Sequence, residues 1–142
     1  MCIIVLNYFM SQFLEKSIQS LDSAKFLVKQ QYYSSTVNRS YYACFQFLMH
    51  ILFEKLKKDQ SEFYNEVLQR PNGTHTWASK LIGNELARQN MEDYKWFQRV
   101  LPEFREKRVK ADYYPAVISP DEGELSITKA ESIINMLKVN FR

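Results

Sequence analysis

A basic run at residues 99–110 is the segment of this sequence best suited to chemistry. "RVLPEFREKRVK" holds five Lys or Arg residues against two Glu, a local charge of +3 that equals the net charge of the whole chain. With 100° between successive residues of a helix, Arg108 falls within an apolar stripe that includes Leu101 and Phe104. Asp112 lies one turn later on the same face. The pattern therefore predicts a guanidinium at a packed seam.

Two interpretations of Arg108 fit this spacing. An unpaired buried charge costs several kcal/mol, so the guanidinium needs a partner. In the first interpretation, Arg108 and Asp112 form an internal salt bridge that ties their helix to the Asn38–Arg39 end of an earlier one. In the second, Arg108 borders a cleft and binds a phosphate with two parallel hydrogen bonds, while Asp112 orients it. The spacing alone leaves both open.

Other polar and aromatic residues are candidates for the same site. His75 follows the turn signal Pro71-Asn72-Gly73 and lies near a helix N-terminus, where anions bind well; local packing is the alternative. Tyr113 and Tyr114 end the basic helix, where they could stack on a base or plug the end of a bundle. His50 is expected at the surface or an interface.

Several classes of site are excluded by what the sequence lacks. The two cysteines, Cys2 and Cys44, form no CxxC or Cys/His spacing, so neither a disulfide framework nor a zinc site is expected. There is no glycine-rich phosphate loop, no HExxH, no pair of ExxH segments and no GxSxG. We therefore predict no metal and no cofactor, and expect a reducing, cytoplasmic location.

The composition predicts one helical domain. The chain has 142 residues, of which 46% are hydrophobic and 25% charged, with only three Gly and four Pro. Apolar residues recur at helical spacing, without strand alternation. We predict an all-α antiparallel bundle of about five helices, spanning roughly 11–30, 34–57, 75–89, 93–114 and 126–138.

Finer signals mark the ends of these helices. Thr74 or Thr76 would cap the third helix, and Pro102 should kink or break the fourth. Ser119 begins a capping box followed by proline, so the last helix could start there and tolerate Gly123.

The second helix is apolar over nearly half of its circumference, so it needs more than one neighbour. It is either the central helix of the bundle or also part of a dimer interface. Residues 1–9 are apolar but too short to span a membrane, and they lack the features of a signal peptide. We interpret them as an N-terminal extension or the product of an upstream start codon, and residues 10–142 as the domain.

The sequence resembles the HEPN domains of prokaryotes over roughly residues 11–140. The resemblance rests on "YYSSTVNRSYYACFQFLMHIL", on "THTWASKLI" after a turn, and on "REKRVKADYYP" before a last helix. "NRSYYA" and "RVKADY" are its most specific parts. They resemble a branch in which helix two opens Arg-x-Tyr-Tyr-Ala and helix four ends Arg-x-x-x-Asp-Tyr.

This resemblance implies a dimer in which helix two and the end of helix four line a shared cleft. Many HEPN proteins are metal-independent ribonucleases, often toxins, with an Arg followed four to six residues later by His. Here the position five residues after Arg108 is Tyr113, and a phenol with a pKa near 10 is a poor base at neutral pH. Other HEPN proteins lack that His and pair with a minimal nucleotidyltransferase in toxin–antitoxin-type systems.

Three hypotheses for the function follow. The first is a homodimeric module that binds RNA or a nucleotide without strong catalysis, beside a nucleotidyltransferase partner and away from any membrane. The second is an active ribonuclease, and the third is a purely structural interaction module. The candidate catalytic residues are Arg108, Asp112 and Tyr113. The candidate RNA- or nucleotide-binding residues are Arg39, Tyr42, His75, Arg105 and Arg108.

Overall fold

A computed structural model describes residues 12–142, which form six α-helices and no strand. The prediction for residues 1–9 lies outside this range. The helices are α1 (Gln12–Lys29), α2 (Tyr33–His50), α3 (Gln60–Leu68), α4 (Gly73–Gln89), α5 (Met91–Tyr113) and α6 (Pro120–Asn140). The predicted helical bundle is confirmed, with six helices rather than five. Among the described residues, no helix is both long and apolar enough to cross a membrane.

Helix α2 is the centre of the bundle and packs against α1, α4, α5 and α6. Its buried residues surround the helix axis, as expected for an element with neighbours on several sides. Two serine contacts show how closely the neighbours approach. The Ser17 hydroxyl donates to the Ala43 carbonyl at 2.7 Å, and the Ser126 hydroxyl lies 3.2 Å from that of Ser40.

The predicted helix over 34–57 continues beyond α2 as one π-helical turn, Ile51–Lys55. The Leu56 N–H donates to the Ile51 carbonyl at 2.9 Å, five residues earlier, as a π-helix requires. Ile51, Leu52 and Phe53 are all buried. The wider turn keeps these apolar side chains on the core before the chain leaves the helix.

The additional helix, α3, occupies the segment expected to be a charged connector with one or two helical turns. Asp59 caps it, since its Oδ1 accepts from the Glu62 N–H at 2.8 Å. Phe63 is fully buried and packs edge-to-face on Phe53 at 5.5 Å between ring centres. Glu66 also holds this short helix, because its carboxylate accepts from Trp77 Nε1 and from Lys58 Nζ, each at 2.7 Å.

Two predicted helix ends were wrong. Helix α4 begins at Gly73, not after Thr74 or Thr76, because the positive φ of 75° at Gly73 turns the chain earlier; Asn72, in the N-cap position, makes no side-chain capping hydrogen bond. Helix α5 begins at Met91 under an Asn90 cap, whose Oδ1 accepts from the Asp93 N–H at 3.1 Å.

Proline 102 does not end α5, which continues from Met91 to Tyr113. The proline lacks the N–H that a helix needs at this position, so one hydrogen bond of the ladder is missing. Phe97, Leu101 and Phe104 are buried on either side of it, and this packing holds both halves of the helix to the bundle.

The capping box at the start of α6 is confirmed. The Ser119 hydroxyl accepts from the Glu122 N–H at 3.2 Å, and the Glu122 carboxylate accepts from the Ser119 N–H at 2.8 Å. Gly123 lies inside the helix because α2 approaches closely there. A Cβ at this position would come within 2.8 Å of the Tyr33 ring.

Candidate functional site

The site forms where the first half of α2, the start of α4 and the last third of α5 meet. Arg108, from α5, is only 7% exposed. Its guanidinium carbon lies 5.3 Å from the ring centre of Tyr41 and 5.4 Å from that of Tyr42. The predicted position of Arg108 at a packed seam therefore corresponds to a guanidinium held against two aromatic rings.

The charge of Arg108 is only partly compensated. One terminal nitrogen lies 3.5 Å from Asp112 Oδ2, longer than the roughly 2.8 Å of a strong charge-assisted hydrogen bond. The same carboxylate oxygen accepts from the Asn38 amide at 2.8 Å. Arg108 Nε is buried and has no hydrogen-bond partner among the described residues. The Arg108–Asp112 contact and its link to α2 are both present, yet one guanidinium donor stays unused.

Arg39 lies on the other side of this network. Its Nε donates to the Asn38 side-chain carbonyl at 2.9 Å, and its guanidinium carbon lies 5.2 Å from the ring centre of Tyr42. Tyr42 is therefore in contact with two guanidinium groups, those of Arg39 and Arg108. The polar residues that open α2 face the polar end of α5.

Arg105 extends the same group toward α4. One of its terminal nitrogens donates to the Thr76 hydroxyl at 3.0 Å, and this leaves most of its five N–H donors free. Thr76 was considered only as a helix cap in the sequence, and nothing in its spacing pointed to a contact with Arg105.

His75 is packed into the same site. Its ring stacks on Phe45 with 3.9 Å between ring centres, and its Nδ1 lies 2.8 Å from the Tyr41 hydroxyl. Burial, and then the nearby positive charges of Arg105 and Arg108, lower the pKa of His75 to about 4. The imidazole is therefore neutral near pH 7. The structure shows the local packing expected in one interpretation of His75, beside Arg105 and Arg108; anion binding there stays a prediction.

Tyr41 supports His75 from α2. Burial raises the pKa of the Tyr41 phenol above its ordinary value of 10, so the hydroxyl keeps its proton and can donate to a neutral His75. Tyr41 and Phe45 both lie on the apolar side of α2, where the sequence alone gives no reason to expect part of a polar site.

Tyr113 is not brought to the other candidates. It is the last residue of α5 and is 74% exposed. Residues five apart on a helix diverge by about 140°, so Tyr113 points away from Arg108. No hydrogen bond or ring contact between the two was found in the part of the chain that the structure describes. His50, by contrast, is half-buried beside Phe47.

We call Arg39, Arg105 and Arg108 the arginine cluster. Among residues 12–142, Asp112 is the only carboxylate that forms an ion pair with any of them. Three guanidinium groups against one carboxylate leave an excess of two positive charges beside the rings of Tyr41, Tyr42 and His75. No group of His, Cys, Asp and Glu residues in the described range could hold a metal ion. This arrangement is suited to binding an anion.

The neutral state of His75 makes the stability of the fold depend on pH. Between pH 6.5 and 4 the unfolded chain binds a proton at His75 and the folded chain does not, so stability is lost as the pH falls through this window. We expect His75 to lower the free energy of unfolding by ~1 kcal/mol from pH 6.5 to 4.5, about half of the full linkage value because the ring is partly exposed to solvent. Urea denaturation across this range would measure the loss.

The matched variant for this measurement is His75→Phe, which keeps a ring on Phe45 but cannot titrate. Its loss of stability between the two pH values should be smaller than that of the wild type by the same ~1 kcal/mol. His50, whose pKa is also lowered by burial, is present in both proteins and cancels. Equal pH slopes in the two proteins would contradict the assignment.

Comparison with known protein families gives one match. A model of the HEPN domain matches residues 10–140, nearly the full chain. No curated protein and no solved structure matches the chain. The matched range includes every residue of the site described above, and the all-helical bundle agrees with a helical domain of this kind. The chain belongs to the HEPN domain family.

Proposed function

We propose that this HEPN domain binds the phosphate of RNA or of a nucleotide on the arginine cluster, without strong catalysis. The observation that carries the proposal is the charge imbalance of the site, in which three guanidinium groups meet a single carboxylate. A bound phosphate would supply the negative charge that Asp112 alone does not.

The hydrogen-bonding state of Arg108 supports the same conclusion. A buried donor without a partner costs about 1–3 kcal/mol, so a site retains one only where another requirement is met. A phosphate oxygen at Arg108 Nε would satisfy that donor. A second oxygen could accept from a terminal nitrogen in the parallel geometry that guanidinium favours. The Tyr41 and Tyr42 rings would exclude water and strengthen both bonds.

The protonation of the site argues against strong catalysis. A general base works best with a pKa near the operating pH, and the pKa of His75 is about 4. Tyr113 occupies the position of the ribonuclease His but is mostly exposed, and a phenol is a poor base. An active metal-independent ribonuclease is therefore the weaker candidate, because Arg108 and Asp112 would lack a competent proton acceptor.

The assembly that we propose is a homodimer in the cytoplasm, with a minimal nucleotidyltransferase as partner in a toxin–antitoxin-type system. Membership of the HEPN family motivates this part of the proposal. An exposed apolar surface at the end of α5 and in the segment after it also supports this: Tyr113 is 74% exposed, Tyr114 59% and Val117 94%. A second copy on this surface would remove these apolar side chains from water. Sedimentation of the purified protein would give its mass.

One observation favours a purely structural interaction module as a second candidate. Arg108 is 93% buried by its own chain, which is what an architectural arginine would show. In that case Arg108, Asp112 and Asn38 would only join α5 to α2. The two candidates differ in whether a folded protein without Arg108 still binds RNA.

The experiment is a binding and cleavage assay on one labelled single-stranded RNA pool in EDTA. We expect fluorescence anisotropy to report binding that weakens as salt rises, because released counterions accompany phosphate contacts. We expect no cleavage products on a gel. Cleavage that disappears in a folded Arg108→Met variant would establish the ribonuclease instead. Absence of binding at low salt, to RNA and to mononucleotides, would leave the structural module.

A further inference from the structure

A groove between α4 and α5 begins beside the arginine cluster. Its cavity has a volume of about 330 Å³, at the lower end of the range typical of small-molecule sites. Thr76 forms part of its wall and also accepts the hydrogen bond from Arg105 at 3.0 Å. The groove and the arginine cluster are therefore continuous at the Thr76–Arg105 contact.

The groove extends along α4 from Thr76 to Asn84. Eight residue steps of an α-helix cover about 12 Å. A phosphate held at Arg105 would leave this length for the groups attached to it. The length and volume suit a sugar and a base.

Proline 102 gives the groove an unusual polar group. Residue 102 of a regular helix would donate its N–H to the carbonyl of Gln98, and a proline has no N–H. Gln98 and Pro102 both line the groove. The Gln98 carbonyl is thus left without this helical partner, in a residue that lines the groove. Asn84 of α4 and Gln98 of α5, both exposed, also line the groove.

The far end of the groove has an aromatic surface. Tyr94 lines it, and its ring lies next to Gly83. A Cβ at Gly83 would lie 3.4 Å from the Tyr94 ring, so the ring packs against α4 here while Tyr94 stays partly exposed. Nucleobases stack on tyrosine rings with little regard to sequence.

We propose that the α4–α5 groove holds the base and sugar of a nucleotide whose phosphate lies on the arginine cluster. The base would carry an exocyclic amino group, as adenine does, to donate to the Gln98 carbonyl. Side-chain amides such as that of Asn84 pair well with adenine. The inference rests on the proposed phosphate site and adds the recognition of the base. The nucleotide could be free or could be the 5′ end of an RNA.

Calorimetry with AMP, UMP and ribose 5-phosphate tests this proposal on the wild-type protein. We expect AMP to bind about tenfold more tightly than ribose 5-phosphate, and UMP, which has no exocyclic amino group, to bind more weakly than AMP. Pro102→Ala restores an N–H for the Gln98 carbonyl and suits a helix better than proline, so the variant should fold. We expect it to lose the preference for AMP and to keep its affinity for ribose 5-phosphate.

Asn84→Leu should also weaken AMP binding, and Asn135→Leu, on exposed α6 surface away from the groove, serves as its matched control. Equal affinities of the wild type for AMP and ribose 5-phosphate would rule out base recognition in the groove without contradicting the phosphate site. An AMP preference that is unchanged in both Pro102→Ala and Asn84→Leu would also rule out base recognition in the groove. If neither ribose 5-phosphate nor RNA bound, the phosphate site would fail and this inference with it.

A last comparison identifies the source of the nucleotide. An RNA that begins with a 5′-phosphoadenosine is measured beside AMP and beside the same RNA with a 5′-hydroxyl. Tighter binding of the phosphorylated RNA than of AMP would assign the groove to RNA ends, and the reverse order would assign it to the free nucleotide.

Discussion

Replacing Arg108 with methionine should weaken RNA binding by about 10- to 100-fold while the protein stays folded. Hydrogen bonds to a charged group contribute roughly 1.5–3 kcal/mol, and each 1.4 kcal/mol corresponds to about a factor of ten in affinity. Methionine fills the same seam between Tyr41 and Tyr42 with a flexible apolar chain. Anisotropy with labelled single-stranded RNA measures the affinity.

Stability should respond differently from affinity in this variant. A buried and poorly paired charge contributes little to folding, and replacing one with an apolar side chain is often neutral or stabilising. Asp112 keeps its hydrogen bond from Asn38. We therefore expect a melting temperature within a few degrees of the wild type, measured by circular dichroism.

Arg99→Met is the matched control, because Arg99 is exposed on the same helix. It removes the same charge and should change affinity far less. The slope of log affinity against log salt concentration should be shallower in Arg108→Met, by roughly the contribution of one phosphate contact. An Arg108→Met protein that loses more than about 3 kcal/mol of stability would instead assign Arg108 to the architecture.

Replacing Phe104 with alanine should have the largest effect on folding, a loss of ~3–5 kcal/mol. Phe104 is 1% exposed and meets Tyr41 edge-to-face, with 5.6 Å between ring centres. Removing it leaves a cavity beneath the site as well as in the core. Because small domains are stable by only about 5–15 kcal/mol, urea denaturation should show a large shift of the midpoint.

The comparison variant for Phe104→Ala is Leu68→Ala, since Leu68 is 84% exposed. A surface change of this kind should stay within about 0.5 kcal/mol. We also expect Phe104→Ala to weaken RNA binding under conditions where it is folded, because Tyr41 loses the ring that positions it. Similar stabilities of the two variants would contradict the packing described here.

The large helices could be predicted because each buries a face. Apolar residues that recur every three or four positions predicted α1, α2, α5 and α6. The rotation of 100° per helical residue placed Arg108 on the buried side of α5. Helix α3 has a single buried residue, Phe63, so it carries no such periodicity. Its full length depends on the Asp59 cap and on contacts with Phe53.

The site could be predicted only in part, because most of its contacts join residues that are distant along the chain. Polar residues at the ends of two apolar helices identified Arg39, Tyr42, Arg105 and Arg108. The stacking of His75 on Phe45 bridges 30 residues. Periodicity tells which face a residue occupies, but not which residue of another helix will lie opposite it.

The apolar pattern also does not show whether a buried side chain carries a polar group that takes part in a site. Tyr41 fits an apolar stripe as well as any core residue, yet its hydroxyl lies 2.8 Å from His75. For Tyr113 the error was the reverse: its position after Arg108 made it a candidate site residue, but it lies exposed at the end of α5. A residue five positions after Arg108 points away when the helix is unbroken, and α5 is helical through Tyr113.

The measurement that tests the central claim most directly is an NMR titration of the arginine Nε–H groups with ribose 5-phosphate. Arg108 Nε is buried and has no hydrogen-bond partner among the described residues, so a phosphate there should move its resonance strongly and saturably. Arg105 should follow with the same dissociation constant, and Arg99 should stay nearly unchanged. Saturation with no movement of the Arg108 resonance would contradict the phosphate site.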